Sequence, residues 1–390
     1  MAFYYDSRQI EPGDTFICLP GGEHYISEAR ARGASEIRTM TRPQFAAFAA
    51  QNFGDPSKHL VVIGVTGTNG KTTVTTLVAQ ALTKMGFKTE ILGTLNAKLT
   101  TPEAWDIQSA MADHLALGGS HFVMEVSSHG IDQHRVEGIH FSVKLLTNIT
   151  QDHLDYHKTL DRYRETKLSF MEKEEGLSLY PETYKTEDIG FPTALLGKFN
   201  HENLQASVSI LKALELENPK IAQGLSEAKA PPGRFEPIDC GQPFLVIVDY
   251  AHTPDGLEKV LETARTLTSK QVRVVFGCGG DRDREKRPQM GKIAHALADE
   301  VILTSDNPRS ENPISIVNDI LTGIAPGAQT MISVILDRRK AILQVLSQAK
   351  AGDVVLVAGK GHETEQIIQG ESLHFDDREE IQRVLMTGSL

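Results

Sequence analysis

Short, largely apolar runs of strand length recur along this chain, and stretches with helical spacing separate most of them. The runs are Leu60 to Val65, Phe122 to Val126, Phe141 to Leu146, Phe244 to Val248, Val272 to Phe276, Val301 to Thr304 and Val354 to Val357. A strand that is apolar along its length rather than at alternate residues is one covered on both faces. Such strands alternating with helices predict parallel α/β sheets. No run approaches the roughly 20 apolar residues that a membrane-spanning helix needs, so no membrane insertion is expected.

At about 150 residues per domain, a chain of 390 residues makes two or three domains. Two boundaries stand out. Asp55-Pro56-Ser57-Lys58 reads as a linker, and Pro231-Pro232-Gly233 precedes a second strand–helix succession. The expected division is therefore 1–57, 58–232 and 233–390. The first sixty residues are short mixed elements punctuated by Pro12-Gly13-Asp14 and Pro20-Gly21-Gly22, and Glu172 to Pro192 is polar and patternless, so a loop is expected there. A net charge of −11 argues against nucleic acid or an anionic membrane as the main partner. Three cysteines without a CxxC pair, and a start lacking an apolar leader, predict a cytoplasmic protein.

The sharpest chemical signal is Gly67-Thr68-Asn69-Gly70-Lys71-Thr72-Thr73. It follows the run ending at Val65 and precedes a stretch where Val74, Leu77, Val78, Ala81, Leu82 and Met85 share one helical face, with Gly86 placed to stop it. Glycines let backbone N–H groups close around phosphate oxygens, and the helix N-terminus adds its positive dipole. Lys71 supplies a point charge and Thr72 a hydroxyl for Mg²⁺. The strict G-x-x-x-x-G-K-[ST] pattern is not met, because position 65 is valine. The alternative is a Gly-rich turn whose lysine is merely solvated.

Around this loop the sequence resembles the Mur ligase family, whose phosphate loop reads GTNGK[ST]. The resemblance continues in family order through Met124-Glu125-Val126-Ser127-Ser128-His129-Gly130, Gln133-His134-Arg135, Thr147-Asn148, Asp152-His153-Leu154-Asp155, Asp249-Tyr250-Ala251-His252-Thr253-Pro254-Asp255, Gly277 to Arg282, Asp306-Asn307-Pro308-Arg309 and Gly359-Lys360-Gly361-His362-Glu363. It implies a three-domain α/β architecture: a short N-terminal UDP-sugar-binding domain, a central parallel sheet with a P-loop, and a C-terminal Rossmann-like domain that binds the amino acid. Within the family the set is most similar to the branch that adds the third peptide residue to UDP-N-acetylmuramoyl-L-alanyl-D-glutamate. The stretch after Pro20-Gly21-Gly22 is shorter than the family's pattern, and the region after Phe170 lacks a strand-rich insertion.

The resemblance implies an ATP-dependent amide ligase that activates a carboxylate as an acyl phosphate, which an amine then attacks. The charges that meet in that step call for divalent metal. Thr72, Glu125, His153 and Lys167 are the implied ligands of two Mg²⁺ ions, with Lys167 carbamylated by CO₂ into an oxygen ligand, since an ammonium would be repelled by the metal. Without the family, Glu125 reads as a strand-end carboxylate, His153 as a surface histidine beside Asp152, and Lys167 as a solvated helix lysine. Asn200 and Asn203 match the adenine-contacting segment, and Asn200 is also placed to cap a helix. Arg234 and Asp249 resemble C-terminal-domain residues that meet the nucleotide.

On the sugar-peptide side the implied contacts are Ser7, Thr100, Thr101, Ser127, Gln133 and Arg135, the last a natural partner for carboxylate or phosphate. On the amino-acid side they are Arg282, Asp306, Asn307, Pro308, Arg309, Gly359 and Glu363. Meso-diaminopimelate differs from L-lysine by one carboxylate at its far end, which a guanidinium can grip with two donors, so Arg309 predicts meso-diaminopimelate as the amino acid. The competing picture is an Arg309 that caps a turn or pairs with Glu311. Other functions weighed are a plain P-loop NTPase or phosphotransferase, a non-catalytic relative, a ligase for L-lysine or another carrier, and folate-type polyglutamate ligation.

Overall fold

The computed structural model describes residues 2–186, 188–329 and 332–387. They divide into two compact units. The first runs up to Ile149 and includes 157–191 and 205–225; the second comprises 150–156, 192–204 and the chain from Ser226 onward. None of the described helices is long and apolar enough to cross a membrane.

The first unit opens with a small parallel sheet of β1 (Phe3–Tyr4), β2 (Thr15–Cys18) and β3 (Glu36–Thr39), in that order. Its helix Arg42–Asn52 starts at a capping box, with Thr41 accepting from the Gln44 N–H and the Gln44 side chain accepting in return from the Thr41 N–H. The larger sheet holds β4 (Val61–Thr66), β5 (Thr89–Leu92), β6 (His121–Glu125), β7 (Val143–Leu146) and β8 (Leu177–Leu179) in the order β5-β6-β4-β7-β8, with every pairing parallel. The chain leaves β4 toward one side and later returns to the other, so β4 is the point where the strand order reverses. Ligands bind beyond the carboxyl end of such a strand.

Between Glu172 and Pro192 the expected loop is instead β8 followed by a one-turn helix, Pro181–Tyr184. A three-residue edge strand needs few apolar residues, so its pattern is weak, and pairing with β7 specifies it. The buried Tyr184 fixes the following turn by donating its hydroxyl to the carbonyls of Leu146 and Thr147.

The second unit is built on a six-stranded sheet. In chain order its strands are β9 (Glu236–Ile238), β10 (Leu245–Asp249), β11 (Val272–Phe276), β12 (Glu300–Leu303), β13 (Ser333–Val334) and β14 (Val354–Ala358); in space they run β13-β12-β11-β14-β10-β9. All pairings are parallel except that of the edge strand β9. Alternate residues of the same strands feed two separate cores. Ile247, Val274, Leu303 and Leu356 pack with the helices Pro254–Thr266, Lys286–Leu297 and Pro313–Leu321, whereas Val246, Val275, Ile302 and Val357 pack with Arg338–Gln348 and Asp377–Thr387. That double covering is why these runs are apolar throughout. An antiparallel hairpin, β15 (Glu365–Ile368) and β16 (Glu371–His374), follows β14.

Candidate active site

In the first unit, β4 ends at Thr66 and the helix Lys71–Lys84 begins at Lys71, leaving Gly67 to Gly70 as the turn between them. Val74, Leu77, Val78, Ala81 and Leu82 bury the helix against the sheet, so its N-terminus is fixed at the sheet's carboxyl edge. The turn is strapped to the end of β7. Thr68 N–H donates to the Asn148 carbonyl (2.8 Å) and Asn69 N–H to Asn148 Oδ1 (3.1 Å), while Thr147 Oγ1 and Asn148 Nδ2 both donate to the Asn69 carbonyl (2.6 and 3.1 Å). Lys71 Nζ folds onto the loop, donating to the carbonyls of Gly67 and Thr68 at 2.9 Å each. Thr73 is buried behind it.

The sheet register sets Glu125, the last residue of β6, level with Val65. Its Oε2 accepts from Thr72 Oγ1 at 3.0 Å, and its Oε1 accepts from the Thr94 N–H at 2.8 Å. A buried carboxylate beside a threonine hydroxyl at a phosphate loop is the sparse oxygen set that Mg²⁺ uses when phosphates and water complete its shell. Among the described residues no cluster of three or more His, Cys, Asp or Glu side chains forms a metal cage. Lys167, on the helix Leu160–Met171, is buried with Nζ 2.9 Å from the Gly67 carbonyl and 4.8 Å from the Tyr163 ring centre. Tyr163, one turn earlier, hydrogen-bonds Thr68 Oγ1 at 3.0 Å. His153 belongs to the second unit, is half-exposed with its backbone at φ 53°, and lies 3.5 Å from Asp152 Oδ2.

Thr100, Thr101, Ser127, Gln133 and Arg135 also gather at the end of β6. Thr101 Oγ1 donates to the Glu125 carbonyl and accepts from the Ser127 N–H, both at 2.9 Å; Ser127 Oγ in turn caps the short helix Ser128–Asp132. Arg135 donates to the Thr101 carbonyl (2.8 Å) and Gln133 Oε1 (2.7 Å), and pairs with Glu103 at 3.2 Å. Thr100 Oγ1 lies 3.0 Å from Thr94 Oγ1. Ser7 is buried near the N-terminus and donates to Glu28 Oε2 at 2.7 Å.

In the second unit, Asn200 is the third residue of the helix Lys198–Ala213 rather than its cap. The turn at Gly197 starts the helix earlier, and Asn200 Nδ2 donates back to the Leu196 carbonyl (2.9 Å) while its Oδ1 accepts from Asn203 Nδ2 (3.2 Å). The Arg234 guanidinium lies 4.4 Å above the Tyr250 ring. Asp249, buried at the end of β10, accepts from the N–H groups of Phe235 (2.6 Å) and Ala251 (2.7 Å). Burial raises its carboxyl to about 6, against the opposing pull of Arg234 and those N–H donors.

The turns after β11 and β12 are stitched together. Gly280 N–H donates to the Asn307 carbonyl, and Asp281 accepts from the N–H and hydroxyl of Ser310. Glu311 accepts from the Asp281 N–H, Arg284 and the buried Arg287, and the Arg287 contact holds its carboxyl down at about 2. Glu311 is thereby committed to other partners, and Arg309 does not pair with it. Arg309 is half-buried, and its Nη1 donates to the carbonyls of Gly280 (2.8 Å) and Asn307 (3.5 Å). No carboxylate among the described residues pairs with it. Arg282 is exposed on the neighbouring turn. Asp306 and Pro308 are buried, and a Cβ on Gly359 would come within 2.5 Å of Asp306 Oδ2, which is why glycine stands there. Glu363 accepts from Asn307 Nδ2 at 2.8 Å.

Residues 65–182 match the Mur ligase middle domain, and residues 233–361 match the glutamate ligase domain of Mur ligases. The chain belongs to the Mur ligase family, and it is an ATP-dependent ligase. The curated proteins it resembles include the UDP-N-acetylmuramoyl-L-alanyl-D-glutamate–2,6-diaminopimelate ligase of Syntrophomonas wolfei, 39% identical over 450 residues that cover 96% of this chain and 92% of that one. The protein of the same name from Gloeobacter violaceus is 40% identical over 455 residues, covering 97% and 92%. Both alignments are longer than this chain, so each relative carries segments that it lacks. A solved structure of a ligase of that name superposes with a TM-score of 0.65 at 31% identity, covering 100% of this chain and 95% of that one.

Proposed function

We propose that this chain joins meso-diaminopimelate to a glutamyl carboxylate of UDP-N-acetylmuramoyl-L-alanyl-D-glutamate in the cytoplasmic synthesis of peptidoglycan precursors; its relatives are named as ligases of that nucleotide dipeptide and 2,6-diaminopimelate. The observation that carries the amino-acid choice is Arg309: a guanidinium held by backbone carbonyls at the carboxyl end of a parallel strand, with no acid among the described residues paired to it. Such a group accepts an incoming carboxylate without giving up an internal ion pair.

ATP lies with its phosphates over Gly67 to Thr73, where N–H groups and Lys71 balance the charge that develops as the terminal phosphoryl group moves to the glutamyl oxygen. ADP leaves, and the neutral amine of diaminopimelate attacks the acyl carbon. The tetrahedral intermediate collapses, expelling phosphate, and the amine's proton is lost. Mg²⁺ supplies charge neutralisation for the phosphates; Thr72 and Glu125 would hold one ion, and a carbamylated Lys167 would offer oxygen to a second. Asn200, Asn203, Arg234 and Asp249 serve the nucleotide. Ser7, Thr100, Thr101, Ser127, Gln133 and Arg135 serve the UDP-sugar peptide. Arg282, Asp306, Asn307, Pro308, Gly359 and Glu363 serve the amino acid with Arg309. In this reading segment 1–57 is a short UDP-sugar-binding domain, 58–232 a P-loop ATPase domain that also supplies sugar-peptide contacts, and 233–390 an amino-acid-binding domain that also supplies Arg234 and Asp249 for the nucleotide.

The test is phosphate release with ATP, Mg²⁺, the UDP-muramoyl dipeptide and meso-diaminopimelate, omitting each in turn. A ligase releases phosphate only when all are present; release without the amine would mean a plain NTPase. Full activity in Lys167→Ala would remove the carbamate from the scheme.

A further inference from the structure

Beyond its own turn bonds, the loop that carries Arg309 is held from a neighbouring element. Arg309 has a left-handed backbone (φ 51°), a conformation that costs a side-chain-bearing residue energy unless its surroundings impose it. The hairpin edge imposes it. Arg309 N–H donates to the Ile367 carbonyl at 3.0 Å, and its carbonyl accepts from the Gln369 N–H at 2.7 Å, so this one residue pairs with β15 like a short parallel strand.

Side chains complete the clamp. Lys360, wholly buried, spends its three donors on Asn307 Oδ1 (3.2 Å), Glu363 Oε2 (3.0 Å) and the Glu365 carbonyl (2.5 Å). Asn307 Oδ1 also accepts from the Ile367 N–H at 3.0 Å, so this side chain is taken up within the protein at both ends. Gln366 Nε2 reaches under the loop to the carbonyls of Asp306 (2.7 Å) and Ser305 (3.5 Å). Nothing else among these contacts fixes the Asp306 carbonyl, and Gln366 is itself buried.

We propose that Lys360 and Gln366 are positioning residues that set amino-acid selectivity by locking the 306–309 loop against the 365–374 hairpin, with Asn307 as the shared joint. The inference rests on the reading that Arg309 meets the far carboxylate of meso-diaminopimelate. Preorganised donors lose affinity when the groups behind them are loosened, even if no substrate contact is removed.

The experiment compares the parent with Gln366→Met, which removes the donor, Gln366→Glu, which keeps the shape but sets an acceptor against the Asp306 carbonyl, and Lys360→Met. Leu373→Ala on the exposed strand β16 is the control. Expected in all three clamp variants is a KM for meso-diaminopimelate raised about tenfold or more, with a matching fall in preference over L-lysine. Saturated kcat should stay within about threefold and the KM for ATP within about twofold, and the control should change nothing. Folded variants with parental KM and preference would overturn the proposal. So would a fall in kcat alone, or loss of folding in all three, which would make these contacts part of the core instead. A parent that ignores meso-diaminopimelate would instead overturn the reading beneath, and the parent assay shows that by itself.

Discussion

Gly67→Ala should cripple nucleotide binding while leaving the fold in place. Gly67 sits at φ 139°, where side chains are strained, and a Cβ there would lie 1.8 Å from Thr147 Oγ1 and 3.0 Å from the Asn148 N–H nitrogen. Relieving the clash moves the Thr147 hydroxyl by more than an ångström and breaks its bonds to the Asn69 and Thr66 carbonyls. Backbone strain of about 1–3 kcal/mol and a lost buried hydrogen bond of about 1–3 kcal/mol together give about 2–6 kcal/mol. The loop can escape most of that by abandoning its phosphate-ready shape, so the penalty falls on binding. A loss of about 3 kcal/mol is about two decades in Kd. Titration calorimetry of Mg-ADP reads it directly, with circular-dichroism melting as the check on folding. A folded Gly67→Ala protein that binds Mg-ADP within about threefold of the parent would refute the role given to this loop.

Arg309→Ala should lose most of the preference for meso-diaminopimelate over L-lysine while the KM for ATP stays put, as steady-state kinetics with each amino acid would show. Arg338→Met should be among the most destabilising single changes in the second unit, because it strands the fully buried Asp377, now gripped through two 2.7 Å contacts; a loss of about 3–5 kcal/mol is expected in denaturant melts. Asp249 titrates near 6 when folded against an ordinary 3.8, so its contribution is present below 3.8 and is lost as pH rises through 6. Asp249→Asn should therefore gain stability relative to the parent between pH 4 and 6, by up to about 3 kcal/mol, and run parallel above that; a difference that stays flat across those pH values would contradict the assignment.

The sheets were legible because double covering makes each strand apolar throughout, and the strand–turn–helix around Gly67 to Gly70 because strand, glycines, lysine and helix stand in one short stretch. What the sequence hid is whatever depends on distant pairing. The strand Leu177–Leu179 exists because β7 offers it an edge, and nothing in its own three residues announces it. Arg135 reads as a free anion-binding arginine, but Glu103, thirty-two positions upstream, already pairs with it. Glu311 reads as Arg309's neighbour and partner, yet Arg287, Arg284 and the Asp281 N–H claim it from other turns. Thr147 and Asn148 are visible as a motif, but their task of strapping the Gly67–Gly70 turn follows only once β7 is known to lie beside β4. The backing of Arg309 by Lys360 and Gln366 is of the same kind, set by a hairpin about sixty residues along the chain.

The central claim is that the chain ligates meso-diaminopimelate to a nucleotide-linked peptide, and one competition measures it. The protein is incubated with ATP, Mg²⁺, UDP-N-acetylmuramoyl-L-alanyl-D-glutamate and equal concentrations of meso-diaminopimelate and L-lysine, and the nucleotide products are read by mass spectrometry. The predicted result is one new product, heavier than the starting dipeptide by a diaminopimelyl residue and formed in step with ADP. A lysyl product in equal or greater amount, or ADP formed with no new nucleotide peptide, would contradict it.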